Sequence, residues 1–296
     1  MAPAQGRLTL RQVGVSGIRK PIAIQRADRV ITLSGEFSVA VDLPSGRKGS
    51  DLSRNAELLA EIVDQTVMRP AESLESACSE IGRELLARHP YATESHVSAT
   101  AEYFLRKGIS EDRTSLENYT LLADAHARRT EDSTVELVRG IGAEAVGMTA
   151  CPCAMETCRE RLAKTYPLLN DPSMKDLPMI THNQRNRTRL MFDLSPGVEV
   201  EVDDIIAAIE AAQSSPTYAI LKRGDEAQLV LNAHRQPKFV EDVLRDLLAG
   251  LSKRFPSLPD SVIVQAKTTS EESIHKYNVA ASHQITLGEL RENSAQ

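Results

Sequence analysis

Apolar and polar residues alternate along this chain with a period that switches between two and about 3.6, and the switches predict its elements. Phe37, Val39, Val41 and Leu43 alternate with Glu36, Ser38, Ala40 and Asp42, which predicts a strand. Helical spacing follows over Arg54 to Met68 and Ala71 to Arg88, with Pro70 between them as a breaker. Alternation resumes from Val97 to Tyr103 and again through Tyr119 to Ala127. Lys107 to Glu117, lying between those two runs, reads as a surface connection.

The second half repeats the order. Val135 to Thr149 reads as a strand, a helical piece follows Cys153, and Leu190, Phe192 and Leu194 share one side of a strand over Arg189 to Leu194. Pro167 to Pro178 reads as another surface connection. Asp203 to Gln213 predicts a helix with Ile205, Ile209 and Ala212 on one face. A stronger stripe of Val240, Val243, Leu244, Leu247, Leu248 and Leu251 marks a helix over Pro237 to Arg254. Strands at Ser261 to Lys267 and near Ala280 to Thr286 complete the pattern. The expectation is an α+β protein of two tandem ββααββ units, residues 1–130 and 131–296, each an antiparallel sheet covered on one face by a helix pair. The two halves share no visible sequence similarity, so the duplication rests on element order alone.

Composition narrows the function. The 296 residues are 41% hydrophobic and 26% charged, which predicts a globular chain with a sizeable core. Aromatics at 4%, no Trp and a net charge of -6 argue against a nucleic-acid partner. No apolar run reaches transmembrane length and Met1 to Gly6 lacks the parts of a signal peptide, so the expectation is a cytoplasmic protein without a membrane partner. Four cysteines do not make a disulfide framework. Cys78 falls on the apolar stripe Leu74, Cys78, Ile81, Leu85 and reads as core, and Cys158 reads as structural.

The remaining chemistry lies in separated segments. Cys151-Pro152-Cys153 marks a strand end or turn, where two thiols two residues apart point the same way. They are either part of a metal site or incidental thiols, and Cys-x-Cys is not the usual redox spacing. His182 lies in a polar loop beside Arg185 and Arg187, whose guanidinium forks suit phosphate. Lys222-Arg223-Gly224-Asp225-Glu226 by itself reads as a charged turn, and Glu241 as an exposed helix carboxylate. Glu272 and His275 converge if that stretch is helical or turned, and oppose each other if it is extended. Cys, His and carboxylate together suit zinc or iron(II), which points to metal-assisted hydrolysis of a phosphorylated substrate. No phosphate-binding Gly-rich fingerprint is present.

The ordered motifs Cys151 to Cys153, His182-Asn183-Gln184-Arg185, Ser214 to Tyr218 with Leu221 to Glu226, Phe239 to Asp242, and Glu272 to His275 resemble the prokaryotic type IB GTP cyclohydrolases. Val41 to Ser45 and Ser53-Arg54 extend the resemblance over nearly the whole chain. It implies a tunnelling fold, a homotetramer with interfacial sites, GTP as substrate, and formate with a dihydroneopterin phosphate as products. It also implies one divalent metal per subunit on Cys151, His182 and Glu226, with Glu241 on the guanine edge and Glu272, His275 and Cys153 handling protons. Arg185, Lys222, Arg223, Lys276 and Arg54 are the phosphate candidates. Two departures, 28 residues between Cys153 and His182 and Asp51-Leu52-Ser53-Arg54 in place of His-Met-Ser-Arg, are closer to the archaeal, methanopterin-pathway branch. That branch uses iron(II), with zinc or manganese as the other metals considered, and makes the 2′,3′-cyclic phosphate rather than the triphosphate. Rival expectations are another pterin- or purine-acting enzyme of this fold, or a non-catalytic protein with a structural zinc.

Overall fold

A computed structural model describes residues 8–26, 29–110 and 113–294; Met1 to Gly6 lie outside the described residues. The chain contains two compact units. One comprises Met1–Tyr103, Thr120–Gly142 and Phe192–Glu199, the other Phe104–Tyr119, Ala143–Met191 and Val200–Gln296.

The first half runs β1 (Leu10–Gln25), β2 (Val30–Leu43), α1 (Leu52–Met68), α2 (Leu74–Arg88), β3 (Glu94–Ser110) and β4 (Arg113–Arg129). The second runs β5 (Val135–Ala150), α3 (Pro152–Thr165), β6 (Asn183–Leu194), α4 (Val202–Ala212), the two-residue β7 (Ser215–Pro216), α5 (Arg223–Arg235), α6 (Val240–Arg254), β8 (Ile263–Glu271), β9 (Val279–Thr286) and α7 (Leu287–Ser294). With α3, β7, α5 and α7 set aside as additions, the ββααββ order occurs twice, as expected.

In the first unit the strands neighbour one another in the order β1-β2-β3-β4-β5. Phe37, Val39 and Val41 of β2, Val97 and Ala99 of β3, and Ala125 and Ala127 of β4 are buried with Leu58, Leu59 and Ile62 of α1 and Ile81 and Leu85 of α2. The helices approach closely: Ser95 Oγ donates to the Gly82 carbonyl of α2 at 2.7 Å. Strand alternation therefore sends Glu94, His96 and His126 to the opposite, helix-free face. Cys78 is fully buried in α2 as expected, and burial pushes its thiol well above the ordinary range.

In the second unit Val243, Leu247 and Leu251 of α6 pack with Ile205, Ile206 and Ile209 of α4 and with Leu190 of β6 and Val264 of β8. Each such side chain removed from water contributes about 1.5–3 kcal/mol before entropy is counted. A buried polar ladder joins the strands beneath them: Asn186 Nδ2 donates to Ser270 Oγ at 3.1 Å, and Thr188 Oγ1 to Thr268 Oγ1 at 2.9 Å.

Four features depart from the sequence reading. Strand β1 carries no clean alternation because its outer half is exposed and its register with β2 shifts twice. One shift falls at Gly17, whose φ of 74° only glycine adopts without strain. Lys107 to Glu117 is not a simple loop: β3 runs on to Ser110 and β4 begins at Arg113, held by polar partners instead of an apolar face. His182 precedes a strand as read, but Asn183 to Arg187 is not a loop, since β6 begins at Asn183 with Gln184, Asn186 and Thr188 as its inward residues. Lys222 to Glu226 is the start of α5, a helix that buries only Ala233 and so shows no stripe. Among the described residues no helix is long and apolar enough to cross a membrane.

Candidate functional site

Strand β5 ends where Pro152 begins α3, leaving Cys151 at the junction, half-buried, and Cys153 exposed as the second residue of the helix. The strand end is pinned twice. Cys151 N–H donates to the His182 carbonyl at 3.0 Å, and Thr181 Oγ1 donates to the Cys151 carbonyl at 2.7 Å. The 28 residues between Cys153 and His182 thus return to their starting point, and the first cysteine and the histidine become neighbours.

The His182 ring is fixed from one side. Its Nδ1 lies 2.9 Å from Gln184 Oε1, and Gln184 Nε2 donates to Thr149 Oγ1 at 3.1 Å. A neutral imidazole that donates through Nδ1 offers its Nε2 lone pair, the arrangement common in metal-binding histidines. Glu272 Oε2 stands 3.9 Å from the same Nδ1, with only 9% of its side chain exposed. Sequence spacing left Glu272 and His275 either converging or opposed; in the structure Glu272 faces His182, and His275 is exposed, stacked on Tyr277 with ring centroids 4.9 Å apart.

A second wall comes from the segment before α5. Gly147 of β5 pairs with Pro216 of β7, and a side chain at Gly147 would overlap Gln213. Thr217 Oγ1 donates to the Val146 carbonyl at 2.7 Å, and Lys238 N–H to the Ala150 carbonyl at 3.0 Å. The Ser214 to Tyr218 motif and the entry to α6 are therefore docked along the last residues of β5 that lead to Cys151. Ser214 Oγ is buried without a hydrogen-bond partner among the described residues. Burial, with Glu210 and Glu117 nearby, raises the Tyr218 hydroxyl above its usual range.

Glu226 and Glu241 occupy the first turns of α5 and α6 and are both exposed. Arg113 donates to Asp225 Oδ1 at 2.6 Å and holds that carboxyl below its usual range. Lys222, Arg223 and Lys276 are exposed, and so is Arg185 on the outward face of β6. Arg54 belongs to the other compact unit, with Nη1 3.2 Å from Asp51 Oδ2. Cys151, His182 and Glu226 do not close into a three-ligand cluster within one chain. Among the described residues the group whose ligand atoms all lie within 4.8 Å of one another is Glu94, His96 and His126, a possible metal-binding triad in the first unit that the sequence reading passed over. Gln184, Thr181 and Lys238 were likewise missed; only the two-residue step from His182 to Gln184 in a strand could have signalled one of them.

Comparison with known proteins gives this geometry a family. The GTP cyclohydrolase MptA of Methanococcoides burtonii is 39% identical over 296 residues, covering 96% of this chain and 92% of that protein. The MptA of Methanosarcina barkeri is 40% identical over 294 residues, with the same coverage of both chains. The uricase of Arthrobacter globiformis shares the fold with a TM-score of 0.56 at 9% identity, over 96% of each chain. That likeness shows a tunnelling fold alone. Residues 2–281 match the type I GTP cyclohydrolase folE2 family, and the chain belongs to that family, on its methanopterin-pathway side.

Proposed function

We infer that this chain is an enzyme, a GTP cyclohydrolase of pterin biosynthesis, which opens the imidazole ring of the guanine in GTP and releases formate. The observation that carries the reading is the juncture of Cys151 and His182 across a 3.0 Å backbone bond, in a chain similar over nearly its full length to GTP cyclohydrolases MptA.

The residues present fit a divalent metal. A half-buried thiol and an imidazole whose Nδ1 is already engaged offer a sulfur and a nitrogen to one ion. Cys151, His182 and Glu226 would hold it, iron(II) by preference and zinc or manganese as substitutes. A divalent metal lowers the pKa of coordinated water to about 7 and supplies hydroxide at neutral pH. Everything else falls to the protein. Glu241 accepts the guanine N1–H and amino hydrogens side by side, which orients the ring. Glu272, buried against His182, and His275 with Cys153 carry protons to and from the ring nitrogens, a role worth about 10²–10⁴-fold in rate. Arg185, Lys222, Arg223 and Lys276 hold the phosphates, with Arg54 reaching in from a neighbouring subunit.

Exposure of α5 along nearly its whole length, and of α3 with no buried residue, supports assembly in which a second copy covers these helices and supplies Glu226 to the cluster. The homotetramer implied by the family resemblance is the assembly we favour. The product on this reading is 7,8-dihydroneopterin 2′,3′-cyclic phosphate, formed when a hydroxyl of the pterin side chain attacks the innermost phosphate and pyrophosphate leaves.

Anaerobic incubation of GTP with the protein and iron(II), followed by formate assay and product mass analysis, tests the reading. Formate with the cyclic phosphate is expected. Formate with the triphosphate keeps the ring opening and removes the product assignment, and no formate with iron(II), manganese or zinc removes the function.

A further inference from the structure

On the helix-free face of the first unit, far in sequence from the Cys151 segment, three metal-ligating side chains meet. Glu94 and His96 stand two apart on β3, so both project to one face, and His126 on β4 lies directly across from His96. The two imidazoles stack with centroids 4.3 Å apart. His126 Nε2 is 3.6 Å and His96 Nε2 3.9 Å from the same oxygen, Glu94 Oε2. Ligands bound at about 2.0–2.2 Å to one ion stand roughly 3–4 Å from each other. The separations therefore match a shared ion, not direct hydrogen bonds.

Three surroundings reinforce the match. His126 Nε2 is buried and has no hydrogen-bond partner among the described residues. A buried nitrogen left so is costly, and a cation would satisfy it. The other carboxylate oxygen, Glu94 Oε1, faces Arg128 Nε at 4.0 Å, which leaves Oε2 to the imidazoles. Asp42 fixes the start of β3 by accepting from Thr93 N–H at 2.7 Å, Thr93 Oγ1 at 2.9 Å and Glu94 N–H at 2.8 Å. Outer hydrogen bonds of this kind hold a ligand in place.

We propose that Glu94, His96 and His126 form a second divalent-metal site, separate from the Cys151 site, taking a zinc- or iron(II)-class ion. Two imidazoles and one carboxylate make a borderline ligand set that suits these ions and leaves coordination positions open to water. The ion ties β3 to β4 across the sheet, so binding stabilises the fold. Both rings would have to turn out of the stacked arrangement about their Cβ–Cγ bonds for their lone pairs to meet at one ion.

The test uses the intact chain stripped of metal, titrated anaerobically with zinc(II) by calorimetry and counted by elemental analysis after desalting. The intact chain is expected to hold a zinc that is lost in His96→Ala/His126→Ala and in Glu94→Gln but kept in Cys151→Ser. Cobalt(II) adds a signature: Cys151→Ser should keep d–d absorption without a thiolate charge-transfer band, whereas His96→Ala/His126→Ala should keep the band. Circular dichroism checks folding, and Glu94→Gln, nearly the same shape, decides if the double variant fails to fold. Equal zinc content in the intact chain and Glu94→Gln overturns the proposal. A single zinc lost in Glu94→Gln and retained in Cys151→Ser upholds it while removing the ligand set assigned to ring opening.

Discussion

Helices α5 and α6 are near neighbours in the chain and begin alike, yet are anchored by opposite physics. In both, the third helical residue caps the start: Asp225 accepts from the Lys222 N–H at 2.9 Å, and Asp242 from the Phe239 N–H at 3.0 Å. Both carry a candidate site carboxylate in the first turn, Glu226 and Glu241. From there they diverge. Helix α6 buries six apolar side chains, whereas α5 buries Ala233 alone and leaves Val230 and Leu231 exposed. A helix with so little core is kept in place by its ends and by charge, and its surface is available to a partner. The difference sets Glu241, the carboxylate we propose to orient the substrate, on a rigid support, and Glu226, the ligand we propose, on an exposed helix that a second copy would cover.

Glu226→Gln on α5 should lower GTP turnover by at least about 100-fold, since ligand changes at metal sites have large effects. Its melting temperature should stay within a degree or two of the intact chain, because Glu226 is exposed. Leu247→Ala on α6, at 1% exposure, should cost about 2–5 kcal/mol in denaturant unfolding. The matching Leu231→Ala on α5, at 42% exposure, should stay within about 0.5 kcal/mol unless dilution separates the subunits.

Smaller effects come from the charge that holds α5. Arg113→Ala removes the partner of Asp225 and should raise KM or metal demand more than it changes stability. Because Arg113 holds the Asp225 carboxyl low, the stabilisation is present above the unfolded value near 3.9 and lost as pH falls through the folded one. The melting-temperature gap between the intact chain and Asp225→Asn should therefore close in acid, and no gap at neutral pH would contradict the clamp.

Legibility in the sequence follows the same division. Helix α6, helix α4 and strand β5 could be read because burial of one face imposes a period on the residues. Helix α5 could not, having no buried face, and neither could the extended β3–β4 segment, which is held by Lys107 to Glu210 at 2.8 Å and by Arg113. Tyr119 also donates to Glu210, and burial, reinforced by that bond, raises its hydroxyl far above normal. At the site, Cys151-Pro152-Cys153 and His182 stood out as residue types; the two-residue step to Gln184 was the one hint of what orients His182, and nothing pointed to Thr149. The cluster of Glu94, His96 and His126 was hidden because two of its members sit on one strand and the third on the next, a relation that only pairing register creates.

The account rests on Cys151 and His182 acting together in ring opening. Formate released from GTP by the intact chain and by Cys151→Ala, at saturating iron(II) and matched folded content by circular dichroism, tests it most directly. The account predicts formate from the intact chain and loss of at least about 100-fold in the variant. Equal rates from the two proteins would contradict it.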